Sequence, residues 1–292
     1  MKFAQKLSII TAFTVLSFVA IHAQSAQAAT IFNNDFPDGR IATGSRPSSS
    51  GKVEIETGDD FILNSPTNVE QATFTGLLTN GATISDVNQV VGEIYRVFPN
   101  DSNNPPDGRV PTRVNSPSDV ALDSRDSTAG ELTFSTSVIN PSFTVANSVL
   151  NGINPLPNQT TGGEGPVTGE KVQFTATFNQ PFSLPADHYF FVPQVGVSGG
   201  GEFLWLSANR PIVAPGTPFT PDLQSWIRND PSLAPDWLRI GTDIVGGNPA
   251  PTFNAAFSLT GTSVPEPQDT AGVALASLGL GWMLVRKKVV GA

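Results

Sequence analysis

The stretch that decides the fold is KVQFTATF at residues 171–178, in which apolar and polar residues alternate without interruption. Val172, Phe174, Ala176 and Phe178 fall on one face of an extended chain, and the polar residues between them fall on the other face. A period of two residues is typical of a β-strand with one buried face. The segment therefore predicts a strand with one apolar face.

Similar short runs, separated by turns rich in Gly, Pro, Asn and Ser, recur along the chain. They predict further strands at 53–56, 60–63, 70–78, 90–98, 131–138, 188–192, 202–206, 237–240 and 253–259. Apolar spacing predicts short helices only at 144–153 and 221–229. Many strands without βαβ alternation predict an all-β fold, an antiparallel β-sandwich of jelly-roll type, with an immunoglobulin-like sandwich as the alternative.

The N-terminus has the three parts of a secretory signal peptide. Two lysines precede an apolar stretch at 7–21, and the AQA motif at 26–28 supplies the small-x-small pattern that a signal peptidase accepts. We therefore expect cleavage after Ala28 or Ala29, with residues 1–29 as the signal peptide. A retained membrane anchor is the alternative, but the apolar run is short for a spanning helix.

The C-terminal segment at 263–292 carries a second signal. Its parts are the motif Val264, Pro265, Glu266 and Pro267, the apolar run 271–285, and the basic cluster Arg286, Lys287 and Lys288. The prolines keep the first part extended, and the apolar run predicts a transmembrane helix. The three cations should stay on the cytoplasmic side of the inner membrane by the positive-inside rule.

This tail resembles the PEP-CTERM sorting tail, which membrane enzymes called exosortases recognise in bacteria that make exopolysaccharide. The resemblance covers about a tenth of the chain. It implies transient anchoring in the inner membrane, cleavage near Pro-Glu-Pro by an exosortase-type enzyme, and delivery to the outer surface or the extracellular matrix. The apolar run is slightly short, and residues 289–292 trail beyond the basic cluster. A single-pass anchor that is never cut is the alternative.

The domain between the two signals, at 30–262, is strongly acidic. The full chain has 16 basic and 25 acidic residues, and removing the terminal segments leaves 11 basic and 23 acidic residues, a net charge of −12. Binding to nucleic acid or to anionic membranes requires clustered Lys or Arg, so both are excluded as partners of this domain. The chain has no cysteine, which excludes disulfides, thiol nucleophiles and thiolate metal sites.

Catalytic motifs are weak. The GVSGG sequence at 196–200 matches the G-x-S-x-G nucleophile elbow, but a strand rather than a helix is predicted after it, and no histidine follows. His188 is the one histidine of the mature domain and is predicted at the start of a strand. Two carboxylates suffice for glycoside hydrolysis, but no pair is singled out by the sequence. No catalytic residue and no cofactor is predicted.

Two acidic loops suggest structural calcium, whose ligands are oxygens of Asp, Asn and backbone carbonyls. One contains Asp101, Asn103, Asp107 and Gly108, and the other contains Asp59 and Asp60. Turn-forming side chains explain both loops without a metal. The identity of any metal ligand therefore stays open.

A sugar-binding rim is predicted in the proline-rich loop at 207–235. Its candidate residues are Trp226, Asp222, Arg228 and Asn229. An exposed indole stacks on a pyranose ring, and a proline-stiffened loop is pre-ordered for binding. The alternative is that Trp226 forms a lid packed on the end of the sandwich. Trp205 and Trp237 lie in strand-like runs and are predicted in the core.

Together these patterns predict one exported β domain with a non-catalytic structural or adhesive role at the cell surface or in the matrix. A glycan-binding module for exopolysaccharide is the alternative, and a polysaccharide-active enzyme is a more distant one.

Overall fold

A computed structural model describes residues 28–49, 51–100, 113–154, 159–209, 223–229 and 236–264, which form fifteen strands. In chain order these are β1 Ala29–Asn33, β2 Pro37–Gly44, β3 Glu56–Leu63, β4 Thr67–Thr79, β5 Val87–Arg96, β6 Asp123–Asp126, β7 Leu132–Val145, β8 Ser148–Val149, β9 Val167–Leu184, β10 Asp187–Val197, β11 Glu202–Ala208, β12 Trp226–Arg228, β13 Leu238–Arg239, β14 Asn254–Ala255 and β15 Phe257–Ser263. The all-β prediction is confirmed.

The strands form two sheets. The six-stranded sheet has the order β13, β12, β3, β10, β5, β6. In the nine-stranded sheet the path runs β1, β15, β4, β11, β2, β8, while β9 pairs with β4, β7 pairs with β9, and β14 pairs with β11. All pairs are antiparallel except the short pair of β2 with β8.

The main core lies between the two sheets. The alternation at 171–178 places Val172, Phe174, Ala176 and Phe178 of β9 in this core, each at most 4% exposed. Aromatic residues of the six-stranded sheet, among them Phe61, Tyr189 and Phe191, pack against it from the opposite side. The core is therefore built from aromatic side chains projecting from both sheets.

Neither predicted helix is present in the described residues. The segment 144–153 finishes β7 and contains β8, because its apolar side chains Val145 and Val149 are buried against sheet residues in two separate clusters. In 221–229, residues 226–228 form β12, which pairs with β3. Helical geometry within the described residues is confined to the 3-10 turn Ile84–Asp86 and the π-helical turn Ile240–Val245.

Most predicted strands correspond to observed ones, with shifted ends. The run predicted at 60–63 belongs to β3, which begins at Glu56, whereas residues 53–55 precede this strand and Ile55 forms only an isolated bridge with Arg46. The run at 237–240 shortens to β13, since Ile240 already begins the π-helical turn. Trp205 and Trp237 are buried as predicted, at 1% and 0% exposure.

Both predicted sorting segments fall largely outside the described residues, which begin at residue 28 and end at residue 264. Within the described part of the chain there is no helix with the length and apolar character needed to cross a membrane.

Candidate functional site

The outer face of the six-stranded sheet, turned away from the main core, carries a cluster of ionisable side chains that is buried except at Glu54, which is exposed, and Glu93, which is half-buried. We call it the Arg228 cluster: Arg228, Glu56, Glu93, Tyr95, Asp236 and Glu54. Strand alternation puts Glu93 and Tyr95 of β5 on this face, while β12 aligns Arg228 with Glu56 of β3. The aromatic residues Phe190, Trp226 and Trp237 pack over the cluster as a second, smaller core.

A single glycine opens the space under this cover. A methyl group on Gly58 of β3 would lie 3.0 Å from Cγ2 of Val192 on the neighbouring strand β10. Real side chains rarely approach so closely, so Val192 would have to shift. Gly58 therefore leaves room for the Val192 side chain and for Pro117 of the covering loop, whose Cγ would lie 3.7 Å from such a methyl group.

Arg228 is the centre of the hydrogen bonds in the cluster. Its Nε donates to Glu56, and its Nη1 donates to Asp236 Oδ2 at 3.0 Å and to the carbonyl oxygen of Asp119 at 3.0 Å. Its Nη2 donates to Tyr95 Oη at 3.2 Å. The guanidinium carbon also lies 4.6 Å from the ring centroid of Trp237, a cation–π distance.

Burial raises the pKa values of two carboxyl groups in the cluster, Glu93 and Asp236. Burial, followed by the charges of Glu56 and Glu54, raises the pKa of Glu93 to about 8. Burial likewise raises the pKa of Asp236 to about 6, against the lowering effect of Arg228. Burial alone would lower the pKa of Arg228, but the Glu56 carboxylate raises it overall. At neutral pH Glu93 therefore keeps its proton and shares a hydrogen bond with Glu56.

Tyr95 connects the two glutamates. Its hydroxyl donates to Glu56 Oε1 and lies 3.3 Å from Glu93 Oε2. Burial, with the Glu56 and Glu93 charges, raises the pKa of this phenol well above its usual value, so it remains a proton donor. The phenol ring packs edge-on against Trp237 at 5.6 Å between centroids.

Removing the Tyr95 hydroxyl tests the importance of this donor. We expect Tyr95→Phe to lower the free energy of unfolding by about 1–3 kcal/mol, because buried Glu56 loses a donor to its charged form. Tyr189→Phe is the matched control, since its hydroxyl donates at 3.0 Å to the backbone carbonyl of Pro185, a neutral acceptor. Urea denaturation of both variants gives the comparison. Equal losses for the two variants would contradict a special role for Tyr95.

The sugar-binding prediction for Trp226 is corrected by the structure. The side chain is 3% exposed and its Nε1 donates to the carbonyl oxygen of Leu223 at 3.1 Å. The guanidinium groups of Arg113 and Arg239 lie 5.5 and 5.9 Å from the ring centroid. Pairing of β12 with β3 draws the indole under the covering segments, so no face is free to stack on a pyranose.

The other members of the predicted rim do not converge on a surface site. Arg228 is 6% exposed and bound within the cluster. Asn229 accepts a hydrogen bond from the side chain of Asn154. Asp222 lies outside the described residues. All three described tryptophans and both tyrosines are buried, so within the described residues no Trp or Tyr offers a stacking platform.

The structure places Asp59 and Asp60, the second of the two places considered for calcium, on different faces of β3. Adjacent strand residues point to opposite faces, and Asp59 accepts hydrogen bonds from Ser225 Oγ at 2.9 Å and from the Ala255 N–H at 2.8 Å. Asp60 lies 2.6 Å from Nε2 of His188 on the other face. The two carboxylates cannot share a cation. Asp101, Asn103, Asp107 and Gly108 lie outside the described residues.

The Arg228 cluster does not have the geometry of a glycosidase. Such enzymes need two carboxyl groups about 5–10 Å apart, with room for a sugar between them. Here Glu56 and Glu93 share a hydrogen bond, and the fully buried Trp237 lies over the cluster. The hydrogen bonds and ion pairs of the cluster hold its side chains in fixed positions. Through Asp119 and Asp236 they also bind the covering segments to the sheet.

A second polar group lies at the end of the fold where β10 turns into β11. Glu202 pairs with Arg46 at 2.7 Å and with Lys52 at 3.0 Å. These residues line an indentation of about 10 Å³, which is room for roughly one water molecule. It is too small for a sugar ring. The GVSGG sequence at 196–200 leads into this turn, and β11 follows it as predicted.

Sequence reasoning missed five members of the cluster: Glu54, Glu56, Glu93, Tyr95 and Asp236. A weak signal was present, because Glu54 and Glu56, and likewise Glu93 and Tyr95, alternate with apolar residues in two predicted strands. That pattern usually indicates a solvated sheet face. The cover over this face comes from distant segments and could not be seen locally.

Comparison with protein-family models, with curated proteins and with solved structures finds no match to this chain.

Proposed function

We propose that this protein is exported to the cell surface or extracellular matrix, where its β domain acts as a non-catalytic structural or adhesive component. The export and sorting steps are those implied by the signal peptide and the PEP-CTERM-like tail. An exosortase-type enzyme would be the processing partner, with transient anchoring in the inner membrane.

The observation that supports this proposal is the position of the first and last strands. β1 and β15 are neighbours in one sheet, and Ala29 aligns with Gly261. Strand β15 ends at Ser263, aligned with Thr67, and the Val264 N–H donates to the carbonyl oxygen of Pro66 at 2.8 Å. Both sorting segments thus join the domain at the same end of the sheet. Their removal would leave the strand pairing of the domain intact apart from the terminal pair of Ala29 with Gly261.

The interior of the domain supports a structural role. Its largest aromatic side chains are buried, and the Arg228 cluster binds the covering segments with hydrogen bonds and ion pairs rather than lining an open cleft. A glycan-binding role loses its main candidate with the burial of Trp226. We also propose jelly-roll connectivity, because the chain passes between the sheets at β3 to β4, β4 to β5 and β10 to β11.

Glu266→Ala tests the sorting step. We expect the wild-type protein to be cut near Pro265 and released from the inner membrane, whereas the variant should keep the mass of the uncut tail. The β domain should remain folded in both, because β15 ends before the motif. The measurement is intact mass and cell fraction in the native host.

Gln268→Ala is the matched control, since it changes the same tail outside the Pro-Glu-Pro motif. It should be processed like the wild type. If wild-type protein retained residues 271–285 and stayed in the inner membrane, the protein would instead be a single-pass anchored domain, and the proposal would be wrong.

A further inference from the structure

Strand β7 is a long edge strand of the nine-stranded sheet. It pairs with β9 from Leu132 to Val145, and no described strand pairs with its other edge. An open edge offers a row of backbone donors and acceptors to another strand, and proteins usually protect such edges with charged residues, prolines or bulges.

The first half of β7 lacks these protections. From Leu132 to Val138 its register with β9 is continuous, and no residue of the whole strand is charged. Register breaks follow between Val138 and Asn140 and between Asn140 and Phe143, and Pro141 lies within the second break. Bulges and proline prevent further regular pairing. The open, regular edge therefore covers seven residues.

Charge favours a second copy of this chain as the occupant of that edge. The domain at 30–262 carries a net charge of −12, so most surface contacts between two copies are repulsive. A strand without charge is a place where two copies meet without placing like charges opposite each other.

The sequence of this edge is also complementary to itself. When two copies of β7 pair antiparallel about Thr136, Phe134 of each lies opposite Val138 of the other, and Ser135 lies opposite Ser137. Val138 is 42% exposed, whereas Phe134 already packs against the main core. Aromatic–β-branched pairs and hydroxyl pairs are both favourable across strands. The two-fold symmetry closes the contact, so it forms a dimer rather than a fibre.

We propose that two copies of this protein associate through antiparallel pairing of residues 134–138 of β7, centred on Thr136. The two nine-stranded sheets then continue into each other across the dimer. The inference goes beyond the proposed function and does not depend on how the tail is processed.

Cysteine cross-linking tests the register directly, because the chain has no cysteine of its own. In the exported protein, we expect Thr136→Cys to form a disulfide-linked dimer at least tenfold more than Thr177→Cys. The control residue Thr177 is exposed, but its strand β9 is paired on both sides. A mixture of Ser135→Cys and Ser137→Cys chains should also cross-link, since these positions face each other.

The double variant Ser135→Lys/Ser137→Lys places charges on the edge. Both serines are exposed, so the fold should be kept, which thermal unfolding checks. Sedimentation of the purified protein should show a dimer for the wild type and a monomer for the double variant. A monomeric wild type, equal cross-linking at Thr136 and Thr177, or a dimer that the lysines leave unchanged would each overturn the proposal.

Discussion

Arg228→Met should lower the free energy of unfolding by about 3–5 kcal/mol near pH 7, because it leaves buried carboxylates without their cation. Glu56 and Asp236 are 5% and 0% exposed, and both bond to this guanidinium. Methionine fills a similar volume, so the loss reports mainly the missing charge. Urea denaturation gives the measurement, and the deficit should shrink as pH falls through about 6, the pKa of Asp236, because that carboxyl then takes up its proton.

Arg239→Met is the matched control. The Arg239 side chain is about a third exposed in its ion pair with Asp243, and Asp243 keeps a second partner in Arg113 at 2.6 Å. An exposed pair of this kind contributes roughly 0–1 kcal/mol. If Arg228→Met cost no more than Arg239→Met, the Arg228 cluster would not be a stabilising feature of the fold.

The free energy of unfolding should fall by about 2–4 kcal/mol as pH rises from about 5 to 8. Over this range Glu93 has lost its proton in the unfolded chain, whereas in the folded protein it loses the proton only near the top of the range. Its folded pKa is about 8, against 4.5 for the unfolded chain. A raised folded pKa means that the folded state holds the proton more tightly, so its contribution is complete below pH 4.5 and is lost on approaching pH 8. Asp236, with a pKa of about 6, adds in the same direction.

At two other carboxylates, Glu164 and Asp243, the pH dependence of stability has the opposite sign, because their pKa values are lowered in the folded protein. Burial alone would raise the pKa of Glu164, but N–H donors at residues 150–152 lower it overall, and the Arg239 and Arg113 side chains likewise lower the pKa of Asp243 despite burial. Their contributions are present above the unfolded pKa and are lost as pH falls through the folded value. Maximum stability is therefore expected in mildly acidic solution.

Glu93→Gln isolates the effect. An amide resembles the protonated carboxyl, so this variant should lose most of the slope between pH 6 and 8 and exceed the wild type in stability at pH 8. Glu164→Gln is the control: Glu164 is already ionised in that range, so this variant should be less stable but keep the wild-type slope. Thermal unfolding at five pH values is sufficient. An unchanged slope in Glu93→Gln would show that Glu93 is ionised in the folded protein at neutral pH.

The core strands could be predicted because their pattern is local. The alternation at 171–178 specifies which side chains share a face, and the apolar face is the one that β9 buries. The helix prediction at 144–153 was wrong because it, too, was based on a local pattern. Apolar residues spaced near a helical period also fit a strand end followed by a short second strand, when each meets a different apolar cluster.

The surroundings of Trp226 and Arg228 could not be predicted, since they depend on contacts between distant parts of the chain. Arg228 and Glu56 are 172 residues apart in sequence. A tryptophan in a proline-rich segment suits either a ligand platform or a lid, and the choice between them depends on whether that segment pairs with a sheet edge. Pairing with β3 made it a lid.

The sequence by itself determined the acidity of the domain, the absence of thiol chemistry, the alternating core strands and the order of the terminal motifs, because each is carried by residues adjacent along the chain. Only the tertiary structure decided which charged side chains are buried together and which strand edge is left open. Burial and edge position are properties of pairing between strands far apart in sequence, and local residue order does not specify that pairing.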